Sequence, residues 1–120
     1  MICNPRLLPA ATWREFMAGL DRHFGVDASL DPPTVAAITN WLVKGAGSPR
    51  PPPRHAAGGA PRDDASSLRI TTTSWFVREH REVRPSSWRR AVIGSAANCA
   101  ACHTDALQGR FYERALRIPD

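Results

Sequence analysis

The sequence predicts a small all-α protein with two lobes, and three observations support this. Its 120 residues fall within the usual size of one domain. Apolar residues recur at intervals of three and four, the helical period, and no sustained strand pattern is present. A proline- and glycine-rich stretch offers almost nothing apolar to bury. We therefore predict an N-terminal helical lobe (1–44), a flexible linker (45–67) and a C-terminal lobe (68–120).

The first predicted helix starts at Thr12 and ends at Gly25. Thr12 and Glu15 have the spacing of a capping box, in which each side chain satisfies a free backbone N–H. Gly25 supplies the permissive backbone that commonly ends a helix. The apolar residues between these points share one stripe: Trp13, Phe16, Met17, Leu20, His23 and Phe24.

The second predicted helix starts with Asp31 as N-cap and Pro32 in the first turn. Proline fits there because the first N–H groups of a helix have no intrahelical partner. Gly45 is the predicted end of the helix. Its apolar face is formed by Val35, Ile38, Trp41 and Leu42.

The C-terminal lobe is predicted to contain shorter helical pieces. A helix capped by Thr73 or Ser74 places Phe76, His80 and Val83 on one face. The remaining predictions are a break at residues 85–87, an amphipathic piece over 88–93, a helical turn over 99–107 ending at Gly109, and an extended tail over 110–119.

The most informative motif is Cys99-Ala100-Ala101-Cys102-His103. Two thiols one helical turn apart can each form a thioether to one vinyl group of the same porphyrin. The adjoining imidazole can then bind the porphyrin's iron. The motif therefore predicts covalent haem c at Cys99 and Cys102, with His103 as an axial iron ligand.

Other chemistries fit these residues less well. A zinc-stabilised interaction module using Cys99 and Cys102 needs four ligands, and Cys3 is the only further thiol. A redox-active cysteine pair needs a βαβ setting, which the sequence lacks. Two buried cysteines without a cofactor are a further interpretation.

The net charge of +5 favours anionic partners in general. A basic cluster in the C-terminal lobe is interleaved with acidic residues and matches no nucleic-acid motif, so we predict no nucleic-acid partner. Its members are Arg78, Arg81, Arg84, Arg89 and Arg90.

His80 is the favoured candidate for the second axial position, because it shares a predicted helix face with Phe76 in the lobe of the motif. The alternative is a half-buried histidine bonded to a backbone carbonyl. Met17 and His23 lie in the other lobe, where His23 by itself is interpreted as a packed core residue. His55 lies in the linker and is interpreted as solvated.

Several segments, in the same order, resemble the bacterial dihaem cytochrome c family. They are residues 7–13 (LLPAATW), 21–30 (DRHFGVDASL), 75–80 (WFVREH), 94–103 (GSAANCAACH) and 117–119 (RIP). The resemblance implies a two-lobed periplasmic electron carrier with one covalent haem in each lobe and two histidine ligands on each iron.

The resemblance also implies roles for individual histidines and partners. His103 and His80 would hold the iron of the C-terminal haem, and His23 would be the distal ligand of an N-terminal haem. A membrane cytochrome b or another small soluble haem protein would be the redox partner. Two histidine ligands leave no open iron position, so we predict electron transfer and not an enzyme; a haem enzyme with an open site is the competing class.

The family places a first Cys-x-x-Cys-His before residues 7–9, where this chain has only Cys3. Either a truncated start has removed this motif together with the export signal, or the protein holds one haem only; we expect the truncated start, because it explains both absences. One haem would attach to this chain, and two to the full-length protein. No apolar run approaches the ~20 residues of a transmembrane helix, so we expect no membrane span.

Overall fold

The computed structural model describes residues 4–47 and 68–120, and the elements in these ranges are helical. The α-helices are α1 (Ala10–Ala18), α2 (Pro32–Lys44), α3 (Ser74–Glu79) and α4 (Pro85–Trp88). Short 3₁₀ turns lie at Pro5–Leu7, Leu20–Arg22, Ile70–Thr72, Cys99–Ala101, Ala106–Gln108 and Glu113–Ala115. The described ranges contain isolated β-bridges but no strand, which confirms the all-α prediction.

The chain divides into two compact units. The first contains the described residues from Pro5 to Ser74, and the second contains Asn4 with Trp75–Asp120. Residues 48–67, Cys3 and His55 lie outside the described ranges, so the predicted linker stays a prediction. Neither described range contains a helix long and apolar enough to cross a membrane.

Helix α1 begins earlier than predicted. Its N-cap is Pro9, whose carbonyl accepts the first helical hydrogen bond from the Trp13 N–H at 3.1 Å. Thr12 therefore lies inside the helix, and its side chain is buried. The capping-box prediction for Thr12 and Glu15 is wrong, because the fixed φ of Pro9 already starts the helix three residues upstream.

Helix α1 also ends earlier than predicted, at Ala18 instead of Gly25. The chain turns at Gly19 and continues as the 3₁₀ turn Leu20–Arg22, so the later part of the predicted stripe does not lie on this helix. Gly25 instead has a φ of +88° in a tight turn closed by a 3.0 Å hydrogen bond from Val26 N–H to the His23 carbonyl. Glycine populates this left-handed region without a steric penalty.

Helix α2 confirms its predicted boundaries. The Asp31 carboxylate accepts hydrogen bonds from the Thr34 hydroxyl at 2.7 Å and the Thr34 N–H at 3.0 Å. These bonds lower the pKa of the Asp31 carboxyl below its usual value. Pro32 occupies the first helical position, and Gly45 caps the C-terminal end.

The core of the first unit forms where α1 packs against α2. Trp13 from α1 is 1% exposed, and its indole N–H donates to the Pro5 carbonyl at 2.7 Å. Met17 from α1 and Leu42 from α2 are buried with it. Trp41 lies on the predicted apolar face of α2 but is 60% exposed, so this face is only partly covered within the described residues.

Candidate functional site

Helices α3 and α4 frame His80 in the second unit. His80 directly follows α3, and its N–H donates to the Phe76 carbonyl at 3.0 Å. The helix predicted to include Val83 therefore ends before it. Pro85 begins α4 where the sequence predicted only a break, because proline fits the first turn of a helix.

The His80 ring is held by the side chain and backbone of Phe76. Its Nδ1 lies 2.8 Å from the Phe76 carbonyl oxygen. Since a carbonyl only accepts hydrogen bonds, Nδ1 must donate, which leaves the lone pair of Nε2 available to a metal. The ring stacks on the Phe76 ring with centroids 4.0 Å apart, and the Trp88 ring is 5.9 Å away. The sequence left two roles open for His80, a hydrogen bond to a backbone carbonyl and a metal ligand. Nδ1 makes the hydrogen bond, and Nε2 is left available for the ligand role.

The Cys-x-x-Cys-His motif folds as a single tight turn. The 3₁₀ turn Cys99–Ala101 leads into His103, whose N–H donates to the Cys99 carbonyl at 2.8 Å. Cys99 and Cys102 are both half-buried, and neither forms a disulfide. The helical turn predicted over residues 99–107 is split into two 3₁₀ turns, and Gly109 ends the second with a φ of +70°, as predicted.

His103 lies in an apolar setting that suits a metal ligand. Its Nδ1 is buried and has no hydrogen-bond partner among the described residues. The Phe111 ring lies edge-on, with centroids 5.2 Å apart. Burial lowers the pKa of the His103 imidazole, and the nearby His80 lowers it further. The neutral imidazole is the form that binds metal.

The two imidazoles have the spacing expected for ligands of one iron. The centroids of the His80 and His103 rings lie 6.0 Å apart, with an angle of 80° between the ring planes. Imidazoles that bind one metal from opposite sides have ring centres about 6 Å apart, because each metal–nitrogen bond is about 2 Å long. The residues present therefore fit a haem iron held between His80 and His103.

A segment that sequence reasoning did not connect with the site also contacts the motif. The Arg117 N–H donates to the Cys102 carbonyl at 2.8 Å, and the Thr104 N–H donates to the Ala115 carbonyl at 3.2 Å. The tail was predicted to be simply extended, but it contains the 3₁₀ turn Glu113–Ala115. No local pattern signals such contacts, because the paired residues are more than ten positions apart.

His23 lies in the first unit, within an aromatic cluster. Its ring centroid is 4.9 Å from that of Phe16 and 4.6 Å from that of Phe24. The Arg69 guanidinium lies 4.1 Å above the Phe24 ring. His23 is thus half-buried among aromatic rings, whereas Met17 is part of the core.

Fold and site together define a small helical protein with the haem-attachment motif of a c-type cytochrome. Within residues 4–47 and 68–120 no three His, Cys, Asp or Glu side chains form a group that could hold a metal ion directly. The chain belongs to the dihaem cytochrome c family, whose sequence model matches residues 1–111.

Solved structures of dihaem cytochromes are similar to this chain along most of its length. The X-ray structure of a dihaem cytochrome c from Shewanella baltica is 33% identical, with a TM-score of 0.77, covering 99% of this chain and 83% of that one. A DHC crystal structure from Rhodobacter sphaeroides is 38% identical, with a TM-score of 0.71, covering 92% and 86%. A dihaem cytochrome c from the same organism is 42% identical, with a TM-score of 0.69, covering 89% and 83%.

A weaker similarity links the chain to mouse Rho GTPase-activating protein 22. The two are 28% identical over 100 residues, which covers 68% of this chain and 14% of that protein. This chain therefore spans only a small part of that relative, and the similarity carries no functional argument.

Family membership decides between haem and zinc as the group held by the cysteine motif. The chain is an electron-transfer protein with covalently bound haem c, so haem replaces zinc as the interpretation of the cysteine motif. An electron carrier requires redox partners, and the family indicates electron transfer as its role.

Proposed function

We propose that Cys99 and Cys102 hold haem c through two thioethers and that His103 and His80 are the axial ligands of its iron. The single observation that supports this most strongly is the 6.0 Å separation of the two ring centroids. The hydrogen bond from His80 Nδ1 to the Phe76 carbonyl adds support, because it leaves Nε2 available for the iron.

The bound haem would supply one-electron chemistry, and the protein would supply ligands, burial and nearby charge that set its potential. Phe76 and Trp88 lie beside the His80 ring and Phe111 lies beside the His103 ring, so apolar rings flank both imidazoles. If His103 and His80 both held the iron, no coordination site would be open to oxygen or peroxide. The proposed protein is therefore an electron carrier without enzymatic activity of its own.

We also propose where and with what the protein works. Haem is attached covalently outside the bacterial cytoplasm, which supports a periplasmic location. The net charge of +5 favours acidic surfaces on a redox partner, such as a membrane cytochrome b or a small soluble haem protein. His23, half-buried beside Phe16 and Phe24, is the proposed ligand of a second haem in the first unit.

The ligand assignment is tested by replacing His80. The chain is exported with a fused signal, matured with haem, and compared with His80→Ala by visible spectroscopy. Loss of one imidazole should convert the haem at the cysteine motif from low spin towards high spin and allow rapid binding of carbon monoxide to the ferrous form. Glu82→Ala, an exposed change two residues away, should leave the spectrum unaltered. A low-spin spectrum that survives in the folded His80→Ala protein would reject His80 as a ligand.

A further inference from the structure

The last residues of the chain form a strap against the cysteine motif. We define the C-terminal strap as residues 115–119. It pairs with the backbone on both sides of His103. The Arg117 N–H donates to the Cys102 carbonyl, and the Thr104 N–H donates to the Ala115 carbonyl. The Thr104 hydroxyl also donates to the Ala115 carbonyl at 3.0 Å. The strap therefore restrains the backbone that carries the imidazole of His103.

Arg90 reaches the end of this strap from the turn after α4. Its guanidinium Nη1 donates to the Pro119 carbonyl at 2.5 Å. The backbone of Arg90 is itself fixed, because its carbonyl accepts hydrogen bonds from the N–H groups of Ile93 at 2.9 Å and Gly94 at 2.8 Å. Ile93 is 2% exposed, so its side chain packs this turn into the core of the second unit.

We propose that Arg90 is a positioning residue of the haem centre: it anchors the C-terminal strap, and the strap holds the backbone of His103. This inference rests on the proposed role of His103 as an iron ligand. A hydrogen bond from a charged donor is stronger than one from a neutral donor, so the contact with Arg90 should add more to the stability of the strap than a neutral bond would.

Arg90 also acts on the site through its charge. Its guanidinium brings a fixed positive charge to the Pro119 carbonyl, and the same strap pairs with the attachment turn through the Arg117 N–H and the Cys102 carbonyl. A fixed positive charge beside the attachment turn would disfavour oxidation of an iron bound there, because oxidation adds positive charge. Removing it should shift the reduction potential to more negative values.

The strap is tested by hydrogen exchange on the matured, haem-loaded protein, followed by mass spectrometry. In Arg90→Ala the peptide that contains Arg117 should exchange about tenfold faster or more than in the wild type. Arg89→Ala removes an exposed arginine from the neighbouring position and should leave that exchange unchanged. Arg90→Lys keeps a charged donor and should restore most of the protection. If Arg90→Ala fails to fold, Arg90→Met, which keeps an apolar stem, replaces it.

The reduction potential separates a role at the haem from a purely structural one. We expect Arg90→Ala and Arg90→Met to lower the potential, and Arg90→Lys and Arg89→Ala to keep it near the wild-type value. Unchanged strap exchange in Arg90→Ala would overturn the proposal, as would faster exchange with an unaltered potential. Failure of the wild type to bind haem at all would instead contradict the proposed function and not this inference.

Discussion

His80 and His103 are placed by different means, although they would bind the same iron. The position of His103 follows from the five-residue motif, whose turn is closed by the bond from its N–H to the Cys99 carbonyl. His80 depends on packing, because its ring plane is fixed by stacking on Phe76 and by the Nδ1 bond to the Phe76 carbonyl. The 80° angle between the two rings is therefore a property of the fold.

This angle predicts a particular electron paramagnetic resonance spectrum for the oxidised protein. Nearly perpendicular imidazole planes leave two iron d orbitals close in energy, and a low-spin ferric haem then gives a strongly anisotropic signal with one dominant low-field feature. Parallel planes separate those orbitals and give three well-resolved g values. We expect the first type of signal for the haem at Cys99 and Cys102 in frozen solution.

A matched control replaces the His80 ring with an imidazole that is not attached to the chain. In His80→Gly with added imidazole, the free ligand lacks the link to the Phe76 backbone and can rotate, so the dominant low-field feature should weaken. Three resolved g values for this haem in the unmodified protein would show that the imidazole planes are closer to parallel.

In helix α1, one side chain combines burial in the core with a hydrogen bond to a neighbouring turn. Only the first half of the predicted stripe lies on the helix, and within that half Trp13 is the most deeply buried residue. Its indole N–H also satisfies the Pro5 carbonyl, so the 3₁₀ turn Pro5–Leu7 is tied to the same side chain. The observed boundaries of α1 differ from the predicted ones, but Trp13, which the apolar pattern placed on the buried stripe, is a core residue.

The two tryptophans of the α1–α2 pair give a direct comparison of buried and exposed side chains. Trp13→Ala should lower the free energy of unfolding by about 3–5 kcal/mol, because it leaves a cavity and an unsatisfied carbonyl. Trp41→Ala, at a site that is 60% exposed, should change it by about 0.5 kcal/mol or less. Urea denaturation followed by far-ultraviolet circular dichroism measures both. Equal losses would mean that Trp41 is buried against something absent from the described residues.

Across the whole molecule, the features predicted from sequence are those with local causes. The Asp31 cap, the proline in the first turn of α2 and the Gly109 stop each depend on neighbours within a few positions. The cysteine motif and the pairing of His80 with Phe76 are equally local, since one is a fixed spacing and the other a helical interval. Helical periodicity could not show that the chain leaves α1 at Gly19, because the apolar spacing continues through the following turns.

The features that the sequence did not reveal join distant parts of the chain. The bond from Arg90 to the Pro119 carbonyl spans 29 residues, and the pairing of Arg117 with Cys102 has no local signature. Gly47 approaches the Arg6 carbonyl so closely that a Cβ there would overlap it, which requires glycine at a position that the pattern left in the linker. Such contacts are set by tertiary packing, so single-sequence patterns cannot specify them.

The covalent bond between haem and this polypeptide is the property of the whole molecule on which the site depends. The most direct measurement is mass spectrometry of the matured protein after denaturation and proteolysis. We expect the mass of one haem on the peptide that contains Cys99 and Cys102, and its complete loss when both cysteines are replaced by serine. Peptides of correctly exported and matured protein that carry no haem at these cysteines, or haem that persists in the double variant, would contradict the account.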